Sequence, residues 1–131
     1  HIPDTAWLFA QPVCTQRDDM FDGTQLPMEF IDMLASCDAA LTKPGYGTYT
    51  EAVCNAVPIL TLARPDWPET TGLNDWARQH GRLLEISQAD FAGGHFTAAL
   101  QALWQQPPST PPAATGIAQA ADLLAARLVS D

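Results

Sequence analysis

Short apolar runs alternate along this chain with longer stretches of helical spacing. Ala6 to Ala10, Ala39 to Leu41, Ile59 to Leu62 and Leu83 to Ile86 are each followed by polar residues or by proline and glycine, the pattern of buried strands. Between them, Phe30, Ile31 and Leu34 share one helical face. Tyr49, Ala52, Val53 and Ala56 follow the i, i+3, i+4, i+7 rule, as do Leu73, Trp76, Ala77 and His80. Gly81 stands where a left-handed C-cap belongs. Phe96, Ala99, Leu100 and Leu103 mark a further helix, which PPSTPP at 107 to 112 must end because proline cannot continue one. Ile117, Ala120, Ala121, Leu124 and Leu128 then predict a final amphipathic helix. No internal repeat is present.

Strands alternating with helices predict an α/β fold, a Rossmann-like parallel sheet flanked by helices, because parallel neighbours need a crossover that is usually helical. In such sheets ligands bind beyond the carboxyl ends of the strands. The loops 42–47 and 63–68 leave two such ends, and they face one crevice if their strands are neighbours.

Length and charge narrow the picture. At 131 residues and 47% hydrophobic content, residues 1–131 suit a single packed domain. No window of about 18 apolar residues is long enough to span a bilayer, and the start does not resemble a secretion signal. A soluble, cytoplasmic protein is expected. The chain opens at His1 without a methionine and reads as a piece of a longer protein. Fifteen acidic against six basic residues give a charge of -9, which repels nucleic acid and anionic membranes. An anionic ligand would need local backbone dipoles and a few placed cations. Cys14, Cys37 and Cys54 are odd in number and widely spaced, and read as buried, reduced thiols.

The stretch TKPGYGTYTE, residues 42–51, carries the candidate chemistry. Pro44 stiffens the strand exit, while Gly45 and Gly47 permit positive φ and leave room for a ligand near the backbone. A helix from about Thr48 would turn unpaired amides and the positive end of its dipole toward a diphosphate. Thr48 can cap that helix or donate to a phosphate oxygen, Glu51 can accept from a ribose diol, and Lys43 adds a cation. The competing reading is structural: Thr48 and Glu51 have capping-box spacing, and glycine turns ahead of helices are common. The order of the glycines excludes both the dinucleotide fingerprint and the P-loop.

From Phe30 to Ile86 the chain resembles the carboxyl-terminal, donor-binding half of GT-B fold glycosyltransferases, most closely family 28. The resemblance rests on Cys37-Asp38 before a strand, Gly45 in the turn, Thr48 through Glu51 on a helix, the small Ala56, Pro58 leading a strand, and Asn74. It implies that Gly45, Tyr46, Gly47 and Thr48 face the diphosphate of a nucleotide-sugar, a UDP-sugar in that family, and that Glu51 holds the ribose. The nucleotide-sugar is then a substrate, with no cofactor or metal implied. Where the family often has a glutamine pair for the donor sugar, this chain has Thr70 and Thr71. Arg64, Asp66 and Glu69 replace the usual residues of that loop, and can hold a different sugar or pair with one another. The resemblance further implies that the general base lies on a separate amino-terminal domain. That domain would be the partner of this one and the contact with a peripheral membrane acceptor, so this chain alone should be inactive as a hexosyltransferase. KPGYG also resembles the transferase-like region of some sugar kinases, which leaves a non-catalytic binding or interdomain module as the alternative.

Other candidates read as structural. His1 is a terminal remnant, His80 lies beside Trp76, and His95 begins a helix after two glycines. Asp18, Asp19 and Asp22 fit a solvated loop, and Trp67 fits a loop anchor better than a stacking platform. Arg64 follows a strand directly, and a surface ion pair and a phosphate or carboxylate contact are equally consistent with it.

Overall fold

Ile59 and Leu60 are neighbours in sequence that belong to opposite cores, and the domain is organised around this alternation. The computed structural model describes residues 2–128, so His1 lies outside the described residues. Strand β1 (Trp7–Phe9) pairs in parallel with β2 (Met20–Asp22). Strands β3 (Ala40–Thr42), β4 (Ile59–Leu62) and β5 (Leu83–Ile86) form a second parallel sheet in that order. The helices are α1 (Phe30–Ala35), α2 (Tyr46–Cys54), α3 (Thr70–His80), α4 (Gln88–Gly93), α5 (Thr97–Trp104) and α6 (Gly116–Leu128). This is an α/β, Rossmann-like arrangement of parallel strands flanked by helices, as the alternating pattern predicts.

One core lies under α1, α2 and α3 and gathers Leu34, Tyr49, Val53, Ile59, Leu73 and Leu83. The other lies on the opposite face of the sheet, where α5 supplies Leu100 and Leu103 against Leu60 and Ile86. Trp7 of β1 joins it, edge-on to Phe96 with ring centroids 5.8 Å apart. The Trp104 indole N–H donates to the carbonyl of Asp38 at 3.1 Å, which fixes α5 to the approach of β3. Helix α5 stops at Trp104, ahead of the prolines. Helix α6 forms where its periodicity predicts, but it buries none of its residues.

Several expectations need correction. Of Asp18, Asp19 and Asp22, expected in a solvated loop, Asp18 is exposed in a turn, but the other two take structural roles. Asp19 is buried and takes the Arg17 guanidinium in two bonds, 2.8 Å from Nε and 2.6 Å from Nη2, and Asp22 ends β2 and caps a 3-10 turn over Gly23–Gln25. Two strand-forming residues between aspartates gave too short an apolar signal to read. Gly81 is extended (φ -145°), not left-handed. It must be glycine because a Cβ there would lie 2.9 Å from Val53 Cγ2. Left-handed caps fall instead at Gly94 (φ 71°), after α4, and at Ala56 (φ 58°), after α2. Ala56 therefore lies beyond its helix rather than on its face, with Val57 N–H donating to Ala52 C=O at 2.9 Å and Ala56 N–H to Val53 C=O at 3.1 Å. His95 sits in the turn between α4 and α5 and does not open a helix. All three thiols are free, yet none is buried: Cys14 is exposed and Cys37 and Cys54 are half-buried.

Candidate functional site

Helix α2 leaves the carboxyl end of β3 after only three residues, and its first turn is uncapped by any side chain. Gly45 is the N-cap, in extended backbone at φ -171°, and its carbonyl accepts the first intrahelical bond from Tyr49 N–H at 3.1 Å. The helix thus begins two residues ahead of Thr48. That removes the capping box, because Thr48 is already the third helical residue, and it removes the positive φ expected of Gly45 and Gly47. The amides of Tyr46, Gly47 and Thr48 precede the first one with a helical acceptor, so the dipole's positive end opens on this turn. The turn is also sterically open. A Cβ on Gly47 would meet nothing within 4 Å, and one on Gly45 would meet only the Lys43 carbonyl, at 4.0 Å.

The phase of α2 is set by Tyr49, which is completely buried. Its hydroxyl lies 2.6 Å from Thr61 Oγ1 on β4 and 2.8 Å from Asn74 Oδ1 on α3. Asn74 Nδ2 in turn donates to Glu85 on β5 at 2.7 Å, and Arg78 reaches the same carboxylate at 3.3 Å. Burial, offset by the Thr61 bond and by Arg78 and reinforced by Glu85, pushes the Tyr49 phenol up to about 12. This polar chain ties α2 to both neighbouring strands and to α3. Periodicity placed Tyr49 and Thr61 in the core but could not show that their oxygens meet.

The predicted site residues fall into three groups. Lys43 and Thr48 line a crevice of about 580 Å³ between β3 and β1, together with Cys37, whose thiol is raised by burial and then by Asp38. Gly45, Tyr46 and Gly47 form the open helix start, and Glu51 follows one turn later, half-buried and lining neither cavity. Arg64 and Asn74 line a second cleft of about 250 Å³ with Thr70, Thr71, Arg78 and Glu85. Strands β3 and β4 are indeed neighbours, but their loops open into two cavities rather than one. Tyr46 lines neither, its phenol raised by burial and by the Glu69 carboxylate beside it.

In the second loop the arginine does not pair with Asp66 or Glu69. Arg64 has no ion pair among the described residues and instead lies 5.6 Å from the centre of the Trp67 ring. Trp67 packs on the first core, as an anchor would. Asn74 already spends its amide on Tyr49 and Glu85. The sequence does not single out Arg78 and Glu85, which belong to no motif and meet only through the packing of α3 on β5.

Comparison of the chain with protein-family models, with curated proteins and with solved structures finds no match. No helix among the described residues is long and apolar enough to cross a membrane.

Proposed function

We propose that this chain is the nucleotide-sugar-binding half of a GT-B glycosyltransferase, with a UDP-sugar as donor. The observation that carries the reading is the uncapped, sterically open start of α2 at the carboxyl end of β3. In a chain of charge -9, backbone amides at a helix start and the exposed Lys43 are the groups suited to a diphosphate. The Glu51 carboxylate, one turn on, has no hydrogen bond or ion pair among the described residues and can accept from ribose hydroxyls. Stabilising the leaving diphosphate in this way needs no metal, and the rest of the catalysis would come from positioning against a separate acceptor domain. A cytoplasmic setting belongs to the same reading, since its thiols are unpaired.

Titration calorimetry with uridine diphosphate tests it. Binding is expected, weakened about tenfold in Glu51→Ala, the equivalent of about 1.4 kcal/mol. Absence of binding by any nucleoside diphosphate would overturn the proposal.

A second reading, a non-catalytic module of the same fold, is favoured by one observation: Asn74, one of the residues that carry the resemblance, has its amide engaged by Tyr49 and Glu85. On that reading uridine diphosphate and its sugar conjugates raise the melting temperature of the chain by nothing.

A further inference from the structure

The 580 Å³ crevice runs along the whole of β1 and β3, two strands that belong to different sheets and are joined by no ladder. We propose that it receives an extended apolar peptide segment that is not part of residues 1–131, lying parallel between β1 and β3 and fusing the two sheets into one of six strands.

Backbone polarity is the first argument. Trp7 N–H donates to Asp19 C=O and Ala40 N–H to Pro58 C=O, each at 2.8 Å. Because a parallel strand alternates the direction of its polar groups residue by residue, Leu8 and Leu41 turn their N–H and C=O away from those partners, toward the crevice. Two free parallel edges thus face one space, and a strand placed there would continue both existing ladders. Size is the second. With about 3.3 Å rise, 4.8 Å between strands and 10 Å between layers, one extended residue occupies roughly 160 Å³, so the crevice takes about four. That matches strands of three residues on either side. Surface chemistry is the third: Leu8, Phe30 and Phe91, between 37% and 43% exposed, line the crevice with Met33, Leu34 and Leu41. A segment buried on both faces must be apolar on both. Topology agrees. The order β2-β1-crevice-β3-β4-β5 has the sequence of the common doubly wound sheet, strands 3-2-1-4-5-6, with the crevice at the place of strand 1.

Amide hydrogen exchange followed by NMR on the isotope-labelled chain tests this, with a synthetic peptide of alternating valine and isoleucine flanked by serines as probe. In the chain alone, the amides of Leu8 and Leu41 should exchange at least tenfold faster than those of Phe9 and Thr42. Saturating peptide should slow both by tenfold or more, and the same peptide with a central proline should not. Leu8→Pro removes the crevice-facing donor without touching the β1–β2 ladder and should abolish the protection of Leu41. If Leu8→Pro does not fold, Leu8→Lys, which places a charge in the crevice, should have the same effect. Protection of Leu8 and Leu41 in the dilute chain alone would mean that β1 and β3 pair directly. Protection rising with protein concentration would mean that a second copy fills the crevice. Either result, or no response to the peptide, would overturn the proposal.

Discussion

Replacing Tyr49 by phenylalanine takes one oxygen out of a buried hydrogen-bond network. Tyr49 and Thr61 are 0% exposed and Asn74 is 2% exposed, so solvent does not reach the hydroxyl in the folded chain. Tyr49→Phe removes the contacts at 2.6 Å and 2.8 Å and leaves the Asn74 carbonyl oxygen and the Thr61 hydroxyl facing a ring edge. A buried polar group left unpaired costs about 1–3 kcal/mol. With two such groups, one of which can rotate toward another acceptor, the expected loss is about 2–3 kcal/mol, a large share of a typical stability of 5–15 kcal/mol. Urea denaturation should report it as a lower midpoint with an unchanged slope. The double variant Tyr49→Phe with Thr61→Val should lose less than the sum of the two single changes, by about 1 kcal/mol, because the second change removes a group that the first had stranded. A loss below about 0.5 kcal/mol, or strict additivity, would refute the account of a buried, coupled network.

The same hydroxyl makes a pH prediction. Its folded pKa of about 12 lies above the ordinary 10, so the folded state holds the proton more tightly than the unfolded one. The resulting stability, on the order of 2–3 kcal/mol, is complete below pH 10 and is lost as pH rises from 10 to 12. Stability measured across that window should fall more steeply in the parent chain than in Tyr49→Phe.

Other consequences concern the turns. Ala56 holds φ 58° without being glycine, at a cost of about 1–2 kcal/mol, so Ala56→Gly should raise stability by about 0.5–1 kcal/mol after the entropy that glycine adds to the unfolded chain; a lower denaturation midpoint would contradict this. Asp19 has its pKa lowered chiefly by the Arg17 hydrogen bond, so its contribution is present above 3.8 and is lost as pH falls through the folded value. Asp19→Asn should therefore lower the melting temperature at pH 7, and the gap to the parent chain should close in acid below pH 3.8.

What could be read from the sequence follows physical range. Ile59 to Leu62 and Leu83 to Ile86 match their strands to the residue: the first is a mostly apolar, buried run, and the second is held by buried Leu83 and Ile86 at its two ends, both local signals that need no knowledge of the neighbours. Met20 to Asp22 was invisible because its strand is short, half polar and defined only by pairing with β1. The start of α2 was placed two residues late for a related reason. Thr48 has the better local cap chemistry, but burial of Tyr49 against Thr61 and Asn74 fixes the helix phase, and that contact spans 25 residues of sequence. Lys43 and Arg64 lie just beyond strand carboxyl ends, as the alternating pattern predicts, and Thr48 lies in the first turn of α2. Their division between two cavities is not legible, since it depends on how distant elements pack around each loop: β1, α1 and Phe91 around the first, α3 and β5 around the second.

The network and the open turn are mechanically one device. Tyr49 lies three residues beyond Tyr46, on the same helix, so the bonds that lock it to β4 and α3 also fix where the amides of Tyr46, Gly47 and Thr48 point. A diphosphate site of this kind works only if its dipoles are already oriented before the ligand arrives. The two substitutions at α2 therefore separate site from scaffold. Glu51→Ala removes a half-buried carboxylate that no side chain pairs, and should weaken nucleotide binding while leaving the unfolding free energy within about 0.5 kcal/mol of the parent. Tyr49→Phe touches no ligand, yet should lower stability and, by loosening the helix start, lower nucleotide affinity as well. If Tyr49→Phe is destabilised but binds uridine diphosphate unchanged, the open turn is not held by the network, and the orientation of its amides must come from Pro44 and the β3 exit alone.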